Sequence, residues 1–158
     1  MKTTTTPPPA GLFRRLGALF YDFLIIMAIL MIAGGIIVAI LEALLATSLV
    51  GYGNYIDASN LLSEHPIISP IYQLYLFSVV VYFFVYFWTK AGQTLGMRAW
   101  KLRIQNEDGT LITTTQALIR LATSAFGLGN LLVPLDPQKR AFQDMWAKTQ
   151  VVVLPKAN

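Results

Sequence analysis

Two long stretches of the chain carry no charged residue. Phe23–Leu41 runs for 19 residues without Asp, Glu, Lys or Arg, and Pro66–Thr89 for 24. At about 1.5 Å per residue the shorter stretch covers roughly 30 Å, the thickness of a bilayer's hydrocarbon core. The pattern predicts two membrane-spanning helices, over about 19–45 and 66–89. The apolar part of a secretory signal is only about 7–15 residues, so the first stretch reads as a retained span. Gly34 and Gly35 at its centre suit close helix packing. Tyr82, Tyr86 and Trp88, ahead of Lys90, read as an interfacial aromatic belt.

The remaining segments are shorter and mixed. Residues 51–65, GYGNYIDASNLLSEH, read as a loop between the spans. Trp100, Leu102 and Ile104 alternate with Lys101, Arg103 and Gln105, a period of two that predicts a half-buried strand. Asp108-Gly109 is a hairpin-turn signal, with Leu111 and Ile112 starting the return strand. In 115–135, Gln116, Arg120, Thr123, Ser124, Gly127 and Asn130 fall on one helical face and the rest is apolar. Only 15 uncharged residues separate Arg120 from Asp136, against the roughly 20 a span needs. Such a segment is amphipathic and interfacial, re-entrant, or a span with one face toward protein. Residues 1–10, MKTTTTPPPA, predict a disordered or extended tail, because proline resists helix. Val151–Leu154 is a short β-type run stopped by Pro155, and 155–158 form a second tail. The predicted organisation is one membrane domain over 11–154. It is an α-helical integral membrane protein with two full transmembrane helices, the third apolar segment and a small cytoplasmic β-hairpin.

Composition fits lipid as the solvent. Charged residues are 13% of the 158 and hydrophobic ones 55%. A soluble domain carries about 25% charged residues, so half that share leaves too little polar surface to cover a globule. Cysteine is absent, and His65 is the only histidine. Thiolate nucleophiles, disulfides, Cys-based metal sites and His-His metal pairs are thereby excluded. With no Ser–His–Asp arrangement either, no enzyme is expected, and no cofactor or metal. KAGQTLGM lacks the G-x-x-x-x-G-K-[ST] spacing of a phosphate loop.

The positions of the basic residues orient the chain. No Lys or Arg lies between Arg15 and Lys90, whereas the 51–65 loop holds Asp57 and Glu64. Loops retained in the cytoplasm are enriched in Lys and Arg. The amino terminus and the segment after Lys90 are therefore expected inside a bacterial inner membrane, and the 51–65 loop outside. A third crossing would carry Lys139, Arg140, Lys148 and Lys156 outside, which favours two full spans. The net charge of +4 then reflects topology and anionic lipid, and nucleic acid is not an expected partner.

One constellation carries chemistry. Arg15 and Asp22 are seven residues apart, two turns along one helical face, at the mouth of the first span. A carboxylate beside hydrocarbon needs a counter-charge. Two turns is about 10 Å, a long reach for Arg15, so Arg120 or Arg140 is a second candidate partner. Glu42, at the far end of the span, reads as solvated, His65 as a surface residue, and Trp100 and Trp146 as headgroup anchors.

RRLGALFYD, with Arg15 and Asp22, resembles the first-span signature of the RDD family of membrane proteins. GQTLGMRAWKLRIQNEDG, with Gly92, Thr94, Gly96 and Arg103, resembles the block after its second span. QALIR with Arg120 and FQDMWAKTQVVV with Asp144 resemble the next two. The resemblance covers most of 11–154. It implies that Arg15, Asp22 and Asp144 are the arginine and two aspartates behind the family name. It further implies a compact membrane domain associated with transport, and supplies no substrate. Gln143 stands where the family commonly has His, which removes a proton relay through that side chain. Arg15, Asp22, Arg120 and Asp144 thus form the expected cluster, either a salt-bridge clamp or an ion-handling site. Two or three helices enclose no path, so a small cation or proton transporter or channel subunit would act as a homo-oligomer or with another membrane protein. The alternative is a non-catalytic membrane scaffold or assembly factor.

Overall fold

The computed structural model describes residues 7–48 and 51–155. Lys156, used above for orientation, lies outside the described residues, as do 1–6 of the expected tail. In order, the elements are α1 (Leu12–Ala46), α2 (Ala58–Glu64), α3 (Ile68–Lys90), α4 (Leu95–Ala99), β1 (Leu102–Gln105), α5 (Thr114–Thr123), a 3-10 segment (Ala125–Leu132), α6 (Phe142–Ala147) and β2 (Gln150–Val153).

Two helices, α1 with 35 residues and α3 with 23, are long and apolar enough to cross a membrane. Their outward surfaces are apolar: Phe23, Leu24, Met31, Ile32 and Ile36 on α1, and Ile71, Leu74 and Phe77 on α3, are all more than half exposed. The core helix of a soluble protein would bury such side chains, so these faces suit lipid. α1 begins before the uncharged run because Leu12–Phe20 continues the helical periodicity through Arg14 and Arg15.

By its internal contacts the chain divides into two units, and α1 and α3 contribute to both. The first unit comprises the chain up to Leu24 and from Phe83 onward. Its core gathers Ala18, Trp88, Met97, Leu102, Ile104 and Val151 with Ala10, Ile112 and Ala117. The second unit, Ile25–Tyr82, pairs the remainder of the two long helices. There the Tyr75 hydroxyl donates to the Ala33 carbonyl at 3.4 Å. A Cβ on Gly34 would sit 2.6 Å from the Tyr72 hydroxyl, so this glycine permits the approach. The loop between the spans contains the short helix α2, capped where Asp57 Oδ1 accepts from the Asn60 amide at 2.7 Å. His65 Nδ1 accepts from the Ile67 and Ile68 amides at the start of α3, a structural use of the single histidine.

The strand pairing differs from the sequence expectation. β1 pairs antiparallel with β2, Leu102 opposite Val153 and Gln105 opposite Gln150, and not with Leu111–Ile112. The Asp108-Gly109 turn forms, with Gly109 at φ 83, but the chain leaving it goes to α5. Leu111–Ile112 is too short to build a ladder, and Thr113 directly after it caps α5 through a capping box with Gln116. The β-branched run 151–153 is the better strand former. Of the expected disordered or extended tail, the described end is extended, since Pro9 bridges Val152 and the Ala10 amide donates to the Val151 carbonyl. Proline is tolerated at such an edge, where its missing N–H is not needed by the ladder.

Residues 115–135 do not form one helix. α5 ends at Thr123, and its 10 residues cover about 15 Å, half a bilayer core. Ala125 and Phe126 then take left-handed backbone, φ 45 and 55, and the chain continues as a 3-10 segment. Among the described residues no third helix of spanning length is present.

Candidate functional site

Asp144 is the centre of the first unit. Its side chain is completely buried, and two arginines meet it. Arg15 Nη1 donates to Asp144 Oδ2 at 2.6 Å, and Arg120 Nη1 lies 2.6 Å from Oδ1. The Ala141 amide, at the start of α6, donates to Oδ2 at 2.9 Å. Arg15 also holds the Ala10 carbonyl through Nε, at 3.0 Å, and the Lys139 carbonyl through Nη2, at 2.9 Å. Arg120 donates to the Thr149 hydroxyl and sets its guanidinium over the Trp88 ring, 5.6 Å from the centroid. One carboxylate thus fastens α1, α5 and α6 together, with the N-terminal segment and the 139 turn held through Arg15. Burial pushes the Asp144 carboxyl up, but Arg120 and Arg15 together bring it below the ordinary value of 3.8.

Local sequence explains how these groups arrive. Asp144 is the third residue of α6, where a carboxylate faces the free amides of the first turn. Gln116 Nε2 on α5 donates to the Ala147 carbonyl at 3.0 Å and to Asn106 Oδ1 at 2.8 Å, docking α5 on α6 and the 106 turn. Arg120, one turn further on, is thereby aimed at Asp144.

Asp22 lies elsewhere in the same unit. It is 3% exposed, and its partners are neutral: the Thr94 hydroxyl, and the Gly96 amide at 2.8 Å. Among the described residues no cationic side chain pairs with it. Arg15 is committed to Asp144, Arg120 to Asp144 and Thr149, and Arg140 to Asp136 at 3.0 Å. The expectation that an arginine neutralises Asp22 is therefore corrected. Residues at i and i+7 share a face but not a depth, and Arg15 instead turns to an acid 129 residues away. Gly96 is required for the approach, since a Cβ there would lie 2.8 Å from Asp22 Cγ and would collide with the Ala18 carbonyl.

The expected cluster thus separates into a charged triad of Arg15, Arg120 and Asp144, and an uncharged cradle for Asp22 built by Thr94 and Gly96. Thr94 is fully buried and also caps α4, accepting from the Met97 amide at 3.2 Å. Its role has a sequence signal, since a Thr three residues before Met97 in a Gly-flanked turn is a capping pattern. Thr149 has no such signal. Arg103 sits on β1 opposite Val152. Gln143 is buried beside the triad, donates to Asn130 Oδ1 at 3.1 Å, and leaves its own Oε1 without a partner. Trp88, expected in an outward aromatic belt, is 8% exposed and lies under Arg120. Trp100 packs on Tyr21 and against Gly17, while Trp146 is 63% exposed. Glu42 is exposed near Tyr52 at the other end of α1.

Residues 9–148 match the sequence profile of the RDD family, which is most of the chain, and the chain belongs to that family. No curated protein and no solved structure matches it.

Proposed function

We propose that this RDD-family chain is a subunit of a homo-oligomer that moves a cation or proton across a bacterial inner membrane, with Asp22 as the carboxylate that exchanges the ion. The observation that supports the reading is a buried acid, at the mouth of a long apolar helix, hydrogen-bonded among the described residues only by neutral donors. A carboxylate held without a resident cation can accept a proton or a passing cation and release it again. A carboxylate locked between two arginines cannot, and Asp144 is accordingly the structural member. The amino terminus and the segment after Lys90 face the cytoplasm in this reading, because no basic residue lies between Arg15 and Lys90. Residues 115–135 stay in the inner interface, supported by the shortness of α5 and by the left-handed break after it. Two spanning helices enclose no path, so the pore or carrier forms between copies.

The purified chain in liposomes, under separate Na⁺ and H⁺ gradients, is expected to move one of the two. Movement of neither, with the protein verified as oligomeric, overturns the proposal. A scaffold role is the second reading, and the triad favours it: its groups serve to join elements, with nothing left to turn over. Crosslinking in membranes that recovers a stoichiometric foreign membrane protein supports the scaffold, and recovery of self-contacts alone argues against it.

A further inference from the structure

The segment from α5 to α6 is folded inside out. Its polar side chains Arg120, Asn130 and Gln143 are buried and Gln116 is half-buried, each engaged with neighbouring polar groups. Most of its large apolar side chains point outward, while Val133 is buried and Leu121 packs on the core. Phe126 is fully exposed, Leu135 is 79% exposed, and Leu118, Leu128, Leu131 and Trp146 follow them at 46–65%. Phe126 reaches this position on left-handed backbone, φ 55, a conformation that is costly for a bulky residue and in water would gain nothing.

Two observations identify what covers this face. The first is continuity with a lipid-facing helix. Gly127 sits directly against the Leu19 side chain of α1, so tightly that a Cβ would collide with it. Leu19 is four residues, about 6 Å, ahead of the uncharged run that begins at Phe23. On the same stretch of α1, Phe20 and Phe23 are 60% and 55% exposed. The outward face around Phe126 therefore adjoins the edge of the hydrocarbon. The second is charge. Exposed Lys139 follows Leu135 and exposed Lys148 follows Trp146 in the chain, so that long cationic side chains flank the later part of the segment; Lys148 also lines a pocket with Glu107 and Asp108. Such side chains lay their stems on apolar surface and their ammonium groups among phosphates.

We infer that Leu118–Trp146 is an anionic-phospholipid-binding apron, with Phe126, Leu128, Leu131 and Leu135 among the upper acyl carbons and Lys139 and Lys148 on the headgroup phosphates of the inner leaflet. The inference rests on the inner-interface placement proposed above and is independent of ion movement through Asp22. An apron of this kind anchors the triad-bearing elements to the membrane and makes their packing sensitive to lipid charge.

The cysteine-free chain allows a direct test. Nitroxide labels are attached to full-length Phe126→Cys, Leu131→Cys and Leu135→Cys proteins in nanodiscs of phosphatidylcholine with and without phosphatidylglycerol. Collision rates with oxygen and with a water-soluble nickel chelate are then compared. All three labels are expected to favour oxygen several-fold when phosphatidylglycerol is present. Adding Lys139→Glu and Lys148→Glu is expected to reduce that preference toward the value in phosphatidylcholine alone. Nickel collisions dominating at all three positions in both lipids overturn the apron. Exclusion of both colliders with spin–spin broadening also overturns it, because a second copy then covers the face. If the apron holds but the inner-leaflet placement is wrong, the three labels still favour oxygen, and in right-side-out membrane vesicles a membrane-impermeant thiol reagent added outside labels Lys139→Cys. Circular dichroism of Leu131→Cys, whose side chain is already outward, guards against a folding artefact at Phe126.

Discussion

Two buried carboxylates in one structural unit are held in opposite ways. Asp144 sits between two arginines and is joined to a backbone amide, whereas Asp22 receives a hydroxyl and an amide and, among the described residues, no cation. Both are removed from water, yet only one has its charge balanced by ionic partners. A fully paired carboxylate in a closed setting is a fastener: removing either sign leaves the other stranded. A carboxylate held only by neutral donors has its geometry fixed while its charge remains available. On the reading proposed above, the difference gives architecture to Asp144 and exchange to Asp22, although both aspartates belong to motifs that resemble the same family.

The comparison breaks most visibly at Asp144. Asp144→Ala leaves Arg15 and Arg120 buried without an anion, and is expected to cost about 3–5 kcal/mol. Thermal unfolding in detergent and membrane abundance measure it, and a change under about 1 kcal/mol would remove the fastener from the account. Next in size is Gly96→Ala. It forces a methyl between α4 and the Ala18–Asp22 turn of α1, and over-packing of this kind costs about 1–3 kcal/mol. The melting point is expected to fall, and because the Thr94 and Gly96 donors move away, ion movement is expected to fall further than stability explains.

The two arginines are not equivalent. Arg15 donates to two carbonyls besides Asp144, so Arg15→Lys gives up a planar fork serving three acceptors. Its loss is expected to exceed that of Arg120→Lys by about one charge-assisted hydrogen bond, about 1.5–3 kcal/mol. Equal melting points for the two variants would contradict the geometry. Acid titration gives a smaller effect with a definite sign. The Asp144 carboxyl is depressed in the folded protein, so its stabilisation is fully present above the ordinary value of 3.8 and is lost as pH falls through its lower folded value. The wild-type melting point is therefore expected to carry no Asp144 contribution to its slope between about pH 5 and 8, and an extra loss below about pH 4 that Asp144→Asn lacks. The smallest change is Thr113→Ala. It removes the α5 capping box for about 1 kcal/mol and is expected to leave ion movement unaltered.

Much of the helical layout is legible in residue order, because the uncharged runs 23–41 and 66–89 admit few other structures in lipid. The start of α1 at Leu12 is less so, since Arg14 and Arg15 mark an interface without marking whether the helix continues. Strand pairing departs from the sequence expectation for a local reason. Asp108-Gly109 is a real turn, and a turn signal says nothing of which strand answers β1; the answer lies in 150–153, beyond two helices. The amphipathic face of 115–135 was visible, but its polar side faces protein because Arg120 and Gln116 have buried partners that only the fold brings near. The same limit governs the site. The Arg15 and Asp22 spacing suggested a pair, whereas the ionic partners are separated by 129 positions and the neutral ones by 72 and 74. Thr94 and Gly96 stood in the sequence as matching motif residues, and their chemical role required the approach of α4 to α1.

The most direct measurement is ion movement by Asp22→Asn in the same liposomes, set beside its melting point. The amide keeps the size of the side chain and an oxygen for the Gly96 amide, but cannot carry the charge. The account predicts a melting point within about 1 kcal/mol equivalent of wild type, an unshifted oligomeric state, and ion movement lost. A variant that moves ions at the wild-type rate, or one that loses stability as Asp144→Ala does, would contradict the division between the two carboxylates.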